Sequence, residues 1–456
     1  MKIAFLIGAI FVACSRIARC DHVDDVILTQ MKERQIPGVA LAIIHDGKIV
    51  REQGYGFADE AHKQPITPET LFQAASVSKP VAALGALRLV EQGRVALDED
   101  INGKLLSWHI PNNHFTENHP VTLRLILSHS AGLTVSGFLG YVVGAPVPSL
   151  LQILDGKPPA NNEPIRVDQV PGSEWRYSGG GYLVMQQMII DVTHQPFADY
   201  MREAILEPLG MSRSTFAQPL PGSLRNRAAT GFTGKPRHAV EGGWRVKPEL
   251  AAGGLWTTAG DLARFLISIQ RLLAGASNPV ISRSMTQQML TKQNGESGLG
   301  FFLGGIPAGG GVAKRFGHNG SNVGFDTVTI GLTDSGEGAV FLMNANTDIE
   351  VLKNILVHAV IETYHWPGYP SGPSPTPTPI AESPTYTTLF ASNTHGAAKA
   401  VSASTDALIR NQPMKPNGPL LAPPPILPTF TSLLRLSFLL PSVPSSVGKA
   451  FDGQQQ

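Results

Sequence analysis

The chain has to wrap itself round a helix that offers water almost nothing. Ala82 to Val90 carries one charged side chain, Arg88, in an otherwise apolar run, and a helix apolar on nearly all sides must be buried. Glu91-Gln92-Gly93 ends it, with glycine suited to the left-handed cap. Its entrance is Leu71-Phe72-Gln73-Ala74-Ala75-Ser76-Val77-Ser78-Lys79-Pro80, where Pro80 fits because a first turn can spare a backbone N–H. Ser76 and Lys79 are expected in that first turn, three residues apart and on one face. A desolvated amine beside a hydroxyl is an activated-nucleophile arrangement. Neutral Lys79 takes the Ser76 proton, and the positive end of the helix dipole favours the oxyanion that follows. The motif alone is weak, since Ser446-Val447-Gly448-Lys449 repeats it in the tail.

Around this helix the pattern is mixed. A helix over Val23 to Arg34 stops at Pro37-Gly38, and Val39 to Ile44 and Lys48 to Tyr55 read as strands joined by the hairpin signal His45-Asp46-Gly47. Thr122 to Ser128 reads as a short helix. Val135 to Pro171 is loops and short helices, and Phe197 to Leu209 is amphipathic. Thr258-Ala259-Gly260-Asp261 resembles a capping box opening a helix over Leu262 to Leu273. Gly298 to Leu303, Gly324 to Leu332 and Gly338 to Asn344 are strand-like, and a last helix covers about Ile349 to Tyr364. Strands at both ends of a helical middle predict an α/β fold of the α+β type, with early and late strands sharing one antiparallel sheet.

The ends set the domain limits. Lys2, the apolar run Ile3 to Ala13 and Ala18-Arg19-Cys20 form an export leader over residues 1–20, which points to a secreted or periplasmic protein. Phe11-Val12-Ala13-Cys14 is a poorer lipoprotein signal. Both cysteines, Cys14 and Cys20, belong to the leader, so the domain at residues 21–366 has no disulfide framework and no thiol nucleophile. Beyond Trp366, prolines 367, 370, 373, 375, 377 and 379 mark an extended linker, and residues 367–456 read as linker and disordered tail. Ile426 to Leu440 is apolar but broken and short, so no span is expected in the mature chain. A net charge of +1 gives no electrostatic footprint for nucleic acid.

Acylating a hydroxyl also needs a proton for the leaving group and donors for the oxyanion. Two later stretches suit these tasks. Tyr177-Ser178-Gly179-Gly180-Gly181-Tyr182 sets a phenol beside glycines that permit close approach. Phe316-Gly317-His318-Asn319-Gly320-Ser321 sets a polar pair between glycines at a strand edge. In order, Ser76-x-x-Lys79, Tyr177-Ser178-Gly179 and His318-Asn319-Gly320 resemble the three elements of the class C β-lactamase and penicillin-recognising serine hydrolase family. Leu127 to Leu133, Pro171-Gly172-Ser173 and Ala252 to Thr258 are further family-like phrases. The likeness covers roughly residues 24–366.

The resemblance implies a β-lactamase/transpeptidase-like fold and an acyl-enzyme mechanism without cofactor. Ser76 attacks, Lys79 is base or proton shuttle, and Tyr177 exchanges protons with Ser76, leaving group and water. The main-chain N–H groups of Ser76 and Ser321 form the oxyanion hole. His318, Asn319, Gly320 and Gly179 contact substrate, His318 standing where the family has a lysine that faces the substrate's carboxylate. Two departures bear on substrate. Gly179 replaces the asparagine that binds a β-lactam amide, which makes that position the first to restore. His318 is largely neutral at pH 7 and grips an anion less firmly than lysine. Both favour a small ester or amide, or a peptidoglycan-like D-amino-acid peptide, as the small-molecule partner. The alternatives are a true β-lactamase and a penicillin- or cell-wall-binding protein with little turnover. His129 reads as structural, since no step requires it. His109, His114 and His119 near Glu117 match no metal-ligand spacing, so no metal is expected.

Overall fold

A computed structural model of the chain describes residues 21–277, 280–306 and 310–368. The leader and the tail beyond Gly368, which holds Ser446 to Lys449, lie outside the described residues. A helix, α1 (His22–Arg34), opens the fold and leads into strands β1 (Gly38–His45), β2 (Lys48–Asp59) and β3 (Gln64–Pro65). A long helical middle follows, with α2 (Ser78–Glu91), α3 (Leu123–Leu127), α4 (Gly179–Thr193), α5 (Leu250–Gly253) and α6 (Ala259–Leu273) as its principal members. Strands β4 (Phe302–Gly304), β5 (Arg315–Asn322), β6 (Phe325–Leu332) and β7 (Gly338–Met343) then return to the sheet, and α7 (Ile349–Tyr364) closes the order.

The sheet runs β4-β5-β6-β7-β1-β2-β3, every neighbour antiparallel. The first strand therefore sits between the last one and its own hairpin partner, as the two-ended strand pattern predicts. Asp46 and Gly47, both at positive φ, make the two-residue hairpin turn. Alternation along β1 splits the core. Val39, Leu41 and Ile43 pack with Val23 and Ile27 of α1 and with Leu352, Leu356 and Val360 of α7. Ala40, Ala42 and Ile44 face the other way, with Leu266 and Ile269 of α6, and the small alanines admit a helix close to the sheet.

The helix α2 lies buried in that larger core, with Leu84, Leu87 and Leu89 almost wholly covered, each burial contributing about 1.5–3 kcal/mol. Several elements depart from expectation. Gly179, Gly180 and Gly181, read from the sequence only as glycines that permit close approach, open a helix; the Ser178 hydroxyl caps it by accepting from Gly181 N–H at 2.9 Å. The expected helix over Phe197 to Leu209 is α-helical only to Met201 and continues as a π-helical turn, Arg202–Leu206. Thr258 caps α6 through Asp261 N–H, yet the Asp261 carboxylate turns instead to Arg213 N–H, Ser214 Oγ and Arg264, so the box is only half formed. Strand β5 is a complete strand, held in register with β6 from Arg315–Leu332 to Asn322–Phe325 despite its glycines and asparagines. Among the described residues no helix is long and apolar enough to cross a membrane.

Candidate active site

Ser76 stands on a 3₁₀ turn, Ala75–Val77, ahead of α2 and not in the helix's own first turn. Ala75 is at φ +49°, a left-handed conformation that costs a non-glycine residue about 1–2 kcal/mol. Its neighbours hold it there. Ala74 N–H donates to Leu255 O at 2.8 Å, while the Ser78 hydroxyl donates to Ala75 O at 2.6 Å and accepts from Leu255 N–H at 3.0 Å. The kink turns Ser76 toward the surface, so that it is half-buried in a run otherwise buried from Leu71 to Leu87. The i, i+3 relation to Lys79 survives, because side chains three apart eclipse in a 3₁₀ turn.

Lys79 Nζ lies 3.2 Å from Ser76 Oγ and donates to Ala252 O at 2.8 Å. It is 2% exposed, over the rings of Tyr177 and Tyr182 at 4.9 and 5.6 Å. Burial, assisted by the nearby charge of Lys247, pushes its pKa far below the ordinary lysine value. Tyr177 precedes α4 and packs on His129 with ring centroids 4.3 Å apart. His129 brackets that tyrosine along the backbone: its carbonyl accepts from Arg176 N–H at 2.7 Å and its Nδ1 from Ser178 N–H at 3.1 Å. Nδ1 thus serves as an acceptor, and burial holds the ring neutral. Its contacts are those of a structural group.

The position of Gly179 has no room for the family's asparagine. A Cβ there would lie 2.9 Å from Ser136 O and 3.1 Å from Phe138 Cε2. The Ser136–Phe138 loop occupies that space, so restoring asparagine requires the loop to move. Gly320 is constrained in the same way, since a Cβ would meet Ser76 N and Ala74 O at 2.7 Å. Strand β5 therefore runs directly against the nucleophile's backbone, which brings Ser321 into the same cleft as Ser76, Lys79 and Tyr177. The Ser321 hydroxyl accepts from Asn346 Nδ2 at 3.2 Å. Opposite it in the ladder, burial pushes Asp326 up to about 6 although Thr347 and Asn346 donate to its carboxylate.

His318 and Asn319 divide between the two faces of β5. The His318 ring stacks beside Phe302 at 4.6 Å and stands 6.2 Å from Tyr177, 2% exposed. Its Nδ1–H is donated to Asn319 O, so the buried Nε2 is a bare acceptor without a hydrogen-bond partner. Burial, then the Lys79 charge, lower its pKa to about 3, so it is neutral at pH 7. Asn319 does not join Ser76: its side chain donates to Glu350 Oε1 of α7 at 2.9 Å. Both residues contribute atoms to a separate small pocket between β4–β6 and α7.

The narrow Ser76 cleft contains two residues that the motifs do not indicate, Lys247 and Glu249. They flank Pro248 just before the apolar start of α5, and nothing in that spacing marks them as part of a site. Lys247 Nζ donates to Phe138 O at 2.6 Å. Glu249 is fully buried, and no donor reaches either carboxylate oxygen. His109, His114 and His119 are exposed. Among the described residues the one His/Asp/Glu group close enough to share a cation is His45, Asp46 and Glu337, none of which lines this cleft.

The chain is similar to known proteins. A profile of the Beta-lactamase family matches residues 23–360. Protein flp of Staphylococcus aureus is 27% identical over 209 residues, 43% of this chain and 38% of the relative. Esterase EstB of Burkholderia gladioli is 31% identical over 218 residues, 46% of this chain and 54% of the relative. The matched part thus spans about half, or less, of those curated relatives. Among solved structures, the octameric penicillin-binding protein homologue from Pyrococcus abyssi superposes with a TM-score of 0.61 at 26% identity, covering 75% of this chain and 77% of that one. The D-amino acid amidase from Ochrobactrum anthropi superposes at 0.59 with 20% identity, 75% of this chain and 98% of that one, a likeness of fold. With the profile running through the sheet, the Ser76 turn and β5, the chain belongs to the Beta-lactamase family.

Proposed function

We propose that this chain is a serine hydrolase that cleaves a small ester or amide through an acyl-enzyme on Ser76. The observation that carries the reading is the half-buried Ser76 hydroxyl 3.2 Å from the buried, depressed amine of Lys79. As Oγ bonds to the substrate carbonyl carbon, its proton passes to Lys79 Nζ. The negative oxygen is received by the N–H groups of Ser76 and Ser321. Tyr177 relays the proton to the departing alcohol or amine as the C–O or C–N bond breaks. Water then attacks the acyl carbon, surrendering a proton through the same groups, and Oγ leaves as a hydroxyl.

Neutral His318 supplies no positive charge for a substrate carboxylate, and the filled space at Gly179 leaves no asparagine amide for a β-lactam. Both favour an uncharged acyl group over a penicillin or cephalosporin. Two similar proteins, an esterase and a D-amino acid amidase, lie on the same side. Export, resting on the leader at residues 1–20, would place the activity outside the cytoplasm.

The test exposes the purified protein to a short-chain aryl ester and to a chromogenic cephalosporin, with intact-mass analysis and Ser76→Ala alongside. Ester turnover lost in the variant, with slow cephalosporin turnover, is the expected result. Turnover that persists in Ser76→Ala overturns the mechanism. Rapid cephalosporin turnover would return the chain to the β-lactamases proper, and a stable adduct to the binding proteins.

A further inference from the structure

Strand β5 delivers Ser321 to the cleft, and the loop between β7 and α7 grips that end of the strand from its other side. Asn346 of this loop spans the β5–β6 turn. Its Nδ2 donates to Asn322 O at 2.7 Å and to Ser321 Oγ at 3.2 Å, while its Oδ1 accepts from Gly324 N–H at 2.7 Å. One carboxylate docks the loop. Asp326 lies opposite Ser321 in the ladder and is 1% exposed. It accepts from Thr347 N–H at 2.6 Å, Thr347 Oγ1 at 2.8 Å and Asn346 Nδ2 at 3.3 Å. Hydrogen bonds to an ionised acceptor are about twice as strong as neutral ones, so charge on Asp326 tightens the whole set. Within the fold, Asn322 Nδ2 reaches Gln73 Oε1 at 2.9 Å and Gly253 O at 3.0 Å, which ties the same turn to the segment leading to Ser76.

We propose that Asp326 is a positioning residue whose carboxylate, through Asn346 and Thr347, fixes the β5–β6 turn and with it the Ser321 N–H that receives the oxyanion. This rests on the reading of Ser321 as an oxyanion donor. Asp326 touches no reacting atom and acts through backbone geometry. The oxygen it serves becomes negative only during reaction, and a misplaced donor stabilises that oxygen poorly. A protonated Asp326 would turn an O–H toward one of its donors and weaken the bonds from the others. Burial, opposed by those donors, holds its pKa at about 6, so the clamp is largely formed at pH 7 and is lost as pH falls through 6. The charge that reaches Asp326 from the hairpin Phe232–Thr233 and His238–Ala239 is Arg237, a cation that favours the carboxylate and is itself held by Arg34 O. Across the ladder Asp326 meets Ser321 and Met343, which do not titrate in this range. On the side of α7, Asp348 is exposed and Glu350 is engaged by Asn319 and Lys353.

The direct test follows the Ser321 amide signal of the full-length protein, labelled with ²H and ¹⁵N, as pH is lowered from 7 to 4.5. In wild type the signal should move with a midpoint near 6. In Asp326→Asn it should stay still, close to the wild-type acid position. A signal that does not move, or that moves equally in the variant, overturns the proposal. Kinetics supply the second readout. Asp326→Asn should lower kcat for the aryl ester about ten- to hundredfold with KM little changed, because the weakened interaction is made only in the transition state. Thr347→Val removes one donor, keeps the side-chain shape and should fall between wild type and Asp326→Asn. If kcat is unchanged in both variants, or its loss disappears once activity is referred to folded protein, Asp326 supports the fold alone and the proposal is overturned. The amide titration needs no turnover. Its failure is therefore distinct from failure of the acyl-enzyme reading, which Ser76→Ala reports.

Discussion

At the scale of single residues, the site is decided by where side chains are missing as much as by where they are present. Gly179 abuts the Ser136–Phe138 loop and Gly320 abuts the backbone of Ser76. Gly179→Asn should therefore cost about 1–3 kcal/mol through overpacking, without creating cephalosporin turnover. Chemical denaturation beside a chromogenic assay checks both parts, and a stable variant that turns over cephalosporin would show that the loop yields. His318 makes a second statement that solution work can read. Its pKa is held at about 3, below the ordinary 6.5 of the unfolded chain. A depressed group of this kind contributes stability fully above pH 6.5, and loses it as pH falls toward 3, because the unfolded chain takes up the proton first. Wild type should accordingly lose more stability between pH 7 and 4.5 than His318→Gln, measured as urea midpoints. Equal losses would mean that the imidazole is not held neutral.

At the scale of elements, the site hangs on helix beginnings. Residues Ala75–Val77 present the nucleophile before α2, Ser178 caps α4 just after Tyr177, and Thr258 caps α6 behind the short strand Trp256–Thr257. That strand pairs with Phe72–Gln73, just before Ser76, so α6 and the nucleophile share a support. Asp261 strengthens it with bonds to Arg213 N–H at 2.9 Å and Ser214 Oγ at 2.8 Å while fully buried. Thr258→Ala should cost about 1 kcal/mol, the usual loss of a cap. Asp261→Ala should cost more, since it strands the partly buried Arg213 N–H and Ser214 Oγ donors at about 1–3 kcal/mol each. Thermal melts of the two variants order them, and an Asp261→Ala melt no lower than that of Thr258→Ala would contradict the support role.

At the scale of the whole molecule, the sheet ties the two ends of the described chain together, with β1 between β7 and β2. Trp366, just past α7, is buried in the cluster that α1 and α7 make against β1, β6 and β7. Trp366→Ala should cost about 3–5 kcal/mol. Because β1 belongs to both cores, the loss should appear in calorimetry as a lower single transition, and a separate early transition would show that the layer melts alone. Much of this architecture was legible beforehand. The buried helix, the Asp46-Gly47 hairpin, the last two strands and the last helix follow from periodicity and turn chemistry, which act over a few residues, whereas the strand expected over Gly298 to Leu303 forms only at Phe302–Gly304. The order of Ser76, Tyr177 and His318, and the neutrality of His318, follow from residue type. Other features were not legible. A glycine run opens a helix because Ser178 caps it, and a glycine- and asparagine-rich stretch becomes β5 because β6 pairs with it. Asn319 turns to Glu350 because alternation along β5 sends it away from His318. Lys247 and Glu249 enter the cleft because the segment leading into α5 packs against Lys79. The sequence by itself determined which groups can react and which short segments are helix or strand, since both depend on local chemistry. Which faces meet, what fills the place of a missing side chain and which distant charge faces Lys79 were decided by packing between segments far apart in the chain.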